Sequence, residues 1–228
     1  MVYLINAAND RAKETDMGCD IHMFVETRRN SDAPWQMVGK AWHAWWKDDL
    51  IHAPYDDRNY FTFAILAGVR NGYEITPIAE PRGLPNDMST GLREQLKASD
   101  VDDESPYIGE HGLSWLTLGE LLAHDWAAVQ ELCGCVDEEH YRAFRSGYGP
   151  PQQYSGGVSG GPSRIVSNEE LNAIIDGKAE RSVHHYYTWI KWQEPHSEIC
   201  DTFYDEAIPR LQSLGDPENV RIVFDFDS

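Results

Sequence analysis

Two segments near opposite ends of this 228-residue chain alternate their side chains with period two. Between positions 18 and 27, Cys19, Ile21, Met23 and Val25 share one side, while Asp20, His22, Phe24 and Glu26 share the other. Near the far end, Val220, Ile222, Phe224 and Phe226 repeat the apolar side. That period belongs to a strand, in which successive Cβ atoms point to opposite faces. Two such strands need a common sheet over a core, so the two ends of the chain are expected to meet. A further strand is expected at 35–39, after the turn-forming run 30–34, and a long aromatic one at 183–193.

Helical signals lie between these strands. The stretch 59–69 is apolar on nearly every side and reads as a buried helix, with Asp57 or Asn59 to cap its start and Gly68 to end it. A short helix is expected from about Ser89. Thr117 with Glu120, and Ser167 with Glu170, are capping-box patterns that open two more. Ile199, Phe203, Ala207, Leu211 and Leu214 mark the core face of another, despite Pro209. Trp42, Trp45 and Trp46 follow helical spacing and form a packing cluster or an interface. Strands and helices do not alternate regularly, which predicts an α+β fold: a mostly antiparallel sheet, including 183–193, with helices packed on one face.

The organisation reads as one domain over 17–228, interrupted by a mobile Gly/Pro/Ser-rich loop at about 146–163. Residues 1–16 carry no periodic pattern and read as a disordered or non-native leader. Lys13-Glu14 can be encoded AAGGAG, a ribosome-binding sequence just ahead of Met17, so translation is expected to start at Met17. The leader lacks the positive and apolar regions of a signal peptide, and no apolar run approaches the roughly 20 residues of a membrane helix. A cytoplasmic protein with no membrane partner is expected.

Charge narrows the partners. Nineteen basic residues against 38 acidic ones leave a net charge of -19. Such a chain is repelled by nucleic-acid phosphates, which excludes duplex nucleic acid as an expected ligand. The acidity serves solubility, cation binding or docking on a basic host protein. Four cysteines without a secretory context read as free thiols. Cys133-Gly134-Cys135 with His140 has the look of half a zinc site, but no second Cys or His pair follows at ligand spacing.

Two constellations could carry chemistry. Asp20 and His22 fall on one side of a strand, so carboxylate and imidazole could hold one divalent metal or do acid–base work. His111 would complete a metal set with them, Asp57 or Glu80 could supply a further ligand, and Glu80 would join them as a catalytic carboxylate. The plain alternative is a half-buried histidine bonded to a neighbouring aspartate. The second constellation is Arg58, Arg70 and Arg82, beside Asn59, Tyr60 and Trp115. Guanidinium groups pair with phosphate as a fork and aromatic rings stack on a base. Alternatively, each arginine pairs with one of the many carboxylates. Gly156–Gly161 is no phosphate loop, since no Gly-Lys-Ser/Thr ends it.

Met17-Gly18-Cys19-Asp20-Ile21-His22, with Val25-Glu26 after it, resembles the opening of an uncharacterised family common in phages and prophages. Asp57-Arg58-Asn59-Tyr60, the run 63–72, Glu80-Pro81-Arg82-Gly83-Leu84-Pro85, Ser114-Trp115-Leu116-Thr117-Leu118 and the ending 220–227 continue the likeness. Members often carry two histidines before the Ser-Trp pair, whereas only His111 stands here. The resemblance implies a phage accessory protein acting in the host cytoplasm and no particular reaction. Two functions are expected as alternatives. One is a metal-assisted hydrolase of a small phosphorylated or nucleotide-like substrate. The other is a non-catalytic anti-defence binder, either a nucleotide sponge or an acidic decoy on a host protein.

Overall fold

The computed structural model describes residues 18–38, 55–98 and 111–227. The leader with Met17, the Trp42/Trp45/Trp46 cluster and the acidic run 100–104 lie outside the described residues. The fold is α+β with mostly antiparallel pairing, and it divides into two compact units: Met1–His124 with Cys200–Ser228, and Asp125–Ile199. Among the described residues no helix is long and apolar enough to cross a membrane.

The first unit is built on β1 (Asp20–Thr27), β2 (Gln36–Val38), β3 (His111–Thr117) and β7 (Val220–Asp227), in the order β2-β1-β7-β3. The two alternating segments pair antiparallel along their whole length, from Asp20 opposite Asp227 to Thr27 opposite Val220. Cross-strand partners share a face. Ile21, Met23, Val25, Ile222, Phe224 and Phe226 therefore form one apolar floor, and all are buried. The helix α1 (Tyr60–Ala67) lies against that floor, Phe63 packing on Phe226 at 5.0 Å between ring centroids. Asn59 caps α1 by accepting from the Phe61 and Thr62 N–H groups, and Gly68 closes it at φ 72°. That torsion is in the left-handed region that glycine adopts without strain. The helix α2 (Thr90–Ala98) places Leu92 and Leu96 with Val223 on the opposite face. A Thr117–Glu120 capping box opens α3 (Leu118–Ala123), as the spacing predicts. Toward the end of the chain come a π-helical turn (Thr202–Ala207) and α7 (Ile208–Gln212).

The expected single sheet is two. The strand predicted at 183–193 is β6 (His185–Pro195), and it pairs with β4 (Val129–Asp137) and β5 (Ser163–Ile165) in the second unit. Both edges of β7 are taken by β1 and β3, and β1 is flanked by β2 and β7, so neither central strand could accept it. The stretch around Cys133-Gly134-Cys135 is β4 itself, whose polar outer positions disguise it in the sequence. Helices α4 (Glu138–Arg145) and α5 (Asn168–Ile175) complete this unit, the latter capped by Ser167 as expected, and α6 (His196–Ile199) comes after β6. The Gly/Pro/Ser-rich stretch is irregular but tethered in its middle. Ser155 exchanges two backbone hydrogen bonds with Cys135, and Tyr154 packs on Gly134 and 4.9 Å from Trp192.

Candidate functional site

The start of β1 and the end of β7 bring four ionisable side chains to one end of one sheet face. Register places Asp20 opposite Asp227 and His22 opposite Asp225, all on the face away from the apolar floor. His22 Nε2 lies 3.0 Å from Asp227 Oδ2, and these side chains are 18% and 28% exposed, reachable yet sheltered. The Asp20 N–H donates to Asp227 Oδ1 at 3.3 Å, which ties the strand ends together. Asp225 is buried on the same face.

Arg58, just before α1, reaches this end of the sheet. Its Nε and Nη2 donate to Asp20 Oδ1 and Oδ2 at 2.7 and 2.6 Å, a two-pronged pair in which each side chain remains about half exposed. The guanidinium passes directly over Gly18, where any Cβ would run into it. A side chain at position 18 would make the guanidinium shift from this place. A pair this exposed contributes little to stability and can exchange one carboxylate for another anion.

On the other face of the same strand end sit Cys19 and His111, with Cys19 Sγ 3.8 Å from His111 Nε2. The Cys19 N–H donates to the Tyr60 hydroxyl at 3.1 Å. Burial pushes the Cys19 thiol up, and the neighbouring Arg70 guanidinium pulls it down less strongly. Arg70 stands 5.9 Å from the Tyr60 ring and has φ 53°, an uncommon torsion for a residue with a Cβ. Tyr60, Phe61, Ala64, Arg70, Asn71, Gly72, Tyr73 and Ile75 enclose a cleft of about 160 Å³.

The sequence-predicted residues do not gather in one place. Asp20, His22 and Arg58 meet at the sheet end, and Tyr60 and Arg70 line the cleft beside it. Asn59 serves α1 as its cap. Arg82 and Trp115 lie elsewhere: Arg82 donates to both Glu120 oxygens, at 3.1 and 2.6 Å, and stands 4.9 Å from the Trp115 ring. Burial would raise the Glu120 pKa, but the Arg82 and Thr117 hydrogen bonds outweigh it and hold it low. Glu80 is exposed on the loop that Arg82 and Gly83 anchor to β3 through Ser114 and Leu113.

His111 does not join Asp20 and His22 as a third ligand. It pairs with Phe226 and so belongs to the apolar-floor side of the sheet, while Asp20 and His22 point from the other. Among the described residues, no three His, Cys, Asp or Glu side chains are placed to hold a metal ion. The zinc half-site at Cys133-Gly134-Cys135 is likewise divided, with Cys133 exposed, Cys135 buried and His140 bonded to Asp137 at 2.8 Å.

Sequence reasoning missed Asp227 and Asp225. The signal was present, since the period that buries Phe224 and Phe226 places both aspartates on the opposite face. Assigning them to the site required the β1–β7 register. The chain matches no family model, no curated protein and no solved structure.

Proposed function

We propose that the first unit hydrolyses a small phosphorylated, nucleotide-like molecule at the β1–β7 end, using His22 as the acid–base group. The observation that carries this reading is the His22–Asp227 pair standing beside a half-exposed, forked Arg58. A carboxylate accepting from Nε2–H fixes the imidazole tautomer and puts the lone pair on Nδ1. That nitrogen takes a proton from a water as the water attacks phosphorus. The imidazolium then returns the proton to the leaving oxygen as its bond to phosphorus breaks. Arg58 exchanges Asp20 for the phosphate oxygens and stabilises the charge they gain. No step is assigned to a metal, because Asp20 and His22 are engaged with different partners.

Phosphate-ester cleavage followed by phosphorus NMR, with and without divalent cations, tests the proposal on a panel of nucleotides and sugar phosphates. General acid–base groups contribute about 10²–10⁴-fold. His22→Ala is therefore expected to lose at least about 10²-fold in turnover while melting where the wild type melts. An active His22→Ala variant would end the proposal. Wild-type protein that binds these esters without cleaving them would replace it with the non-catalytic nucleotide sponge.

A further inference from the structure

The cleft between α1 and the 70–75 turn lies on the side of β1 away from His22, and nothing in the acid–base reading requires it. Its lining is largely aromatic: Tyr60, and Phe61 with Tyr73 at 4.8 Å between ring centroids and 33° between planes. Ala64 and Ile75 add apolar contact, and Ile75 is buried. The turn is held in shape from within. Asn71 Oδ1 accepts from the Ile75 N–H at 2.8 Å, and Asn71 Nδ2 donates to the Ile75 carbonyl at 2.6 Å. This double clamp keeps the cleft open without a ligand, so little ordering cost remains to be met on binding.

Size and charge narrow the occupant. Drug-sized ligands need about 300–1,000 Å³, whereas a cavity of about 150 Å³ takes up benzene. At about 160 Å³ the cleft suits a single ring. The charged residue among its lining groups is Arg70, in a chain of net charge -19. The Arg70 guanidinium also neighbours the Cys19 thiol, one residue from Asp20. It marks the side of the cleft nearest the strand end that Arg58 reaches. Arg70 has φ 53°, and Glu74 in the same turn has φ 56°.

We infer that this cleft is the ring subsite of a pyrimidine nucleoside monophosphate, with the base between Tyr60 and Tyr73 and the phosphate drawn to Arg70. The cleft and His22 lie on opposite sides of β1, so this subsite stands independently of the acid–base reading.

Calorimetric titration of the full chain with uridine 5′-monophosphate, uridine and inorganic phosphate tests it. The monophosphate is expected to bind more tightly than uridine, and uridine more tightly than phosphate. Tyr73→Ala should weaken uridine and its monophosphate by about tenfold or more, the scale of one base–aromatic stack. Arg70→Gly should weaken the monophosphate about tenfold and leave uridine unchanged. This variant is chosen because glycine suits the torsion and keeps the turn folded. Failure of uridine and its monophosphate to bind, or binding insensitive to Tyr73→Ala, overturns the subsite. Ring binding without ester cleavage would leave the subsite standing and remove only the hydrolase. Cleavage of another ester, insensitive to Tyr73→Ala, would do the reverse.

Discussion

Arg221 is 2% exposed, and the pairs around it show how one charge can be made structural in a strongly acidic chain. Its Nε donates to Glu26 Oε2 at 2.9 Å and its Nη1 to Asp87 Oδ1 at 2.7 Å. Its guanidinium carbon lies 4.0 Å from the Trp35 ring and 5.6 Å from the Trp115 ring. Arg28 stacks on Trp35 at 4.5 Å and Arg82 on Trp115 at 4.9 Å, so arginines and tryptophans alternate in a five-member ladder. Each cation meets the electron-rich face of a ring. Arg82 and Trp115, both candidates for ligand binding in the sequence, form one end of this ladder. Glu26 is completely buried and also accepts the Ser89 N–H, so removing it leaves a buried donor unpaired and Arg221 with Asp87 as its one carboxylate among the described residues. Breaking such a buried pair costs about 3–5 kcal/mol. Glu26→Ala should therefore lose that much in urea denaturation, while Glu26→Leu combined with Arg221→Met recovers most of it. A loss below about 1 kcal/mol for Glu26→Ala would contradict a structural role for the ladder.

Local chemistry decided which elements were legible in the sequence. The caps at Asn59, Thr117 and Ser167 were readable because each satisfies its own helix end within three residues. The segment near Pro209 was only partly readable. Phe203, Ala207 and Leu211 are buried as the helical spacing predicts, but Leu214 is 41% exposed and Ile208 is buried in addition. Proline has no N–H to donate back to Asp205, and the turn just before it widens to π register. The extra residue rotates the side chains downstream of it, a shift that a fixed 3.6-residue period cannot anticipate. Cys200 opens this segment in buried surroundings, and burial pushes its thiol up to about 11 from 9.0. Burial also raises the Tyr55 hydroxyl, which donates to Thr62. A raised acid keeps its proton in the folded chain after the unfolded chain has lost it. Stability from Cys200 is thus complete below pH 9 and lost as pH rises toward 11, by roughly 3 kcal/mol. Denaturation between about pH 8 and 11 should show that fall, and Cys200→Ala should make it shallower by about that amount. An equally steep fall in Cys200→Ala would assign the effect to other groups.

At the scale of the molecule, the first unit is assembled from the two ends of the chain, and every candidate residue of the site lies in it. The pairing of first and last strands was legible because both alternate with the same period. The division into two sheets was not, since sheet membership depends on which edges remain unpaired, and the sequence does not display that. Asp20 and His22 were recognisable as neighbours from strand period alone, whereas Asp227 bonds to His22 across 205 residues of separation. A chain of net charge -19 repels anions at long range, so an anionic ligand must be held by a local site. Arg58 and Arg70, at either side of the β1 start, supply that local positive charge. Backbone amide NMR on the full chain, titrated with inorganic phosphate and then uridine 5′-monophosphate, tests this placement directly. Phosphate is expected to shift the amides of 18–22, 58–60 and 225–227, and the monophosphate those of 60–64 and 70–75. Shifts confined to 125–199, or none with either ligand, would contradict it.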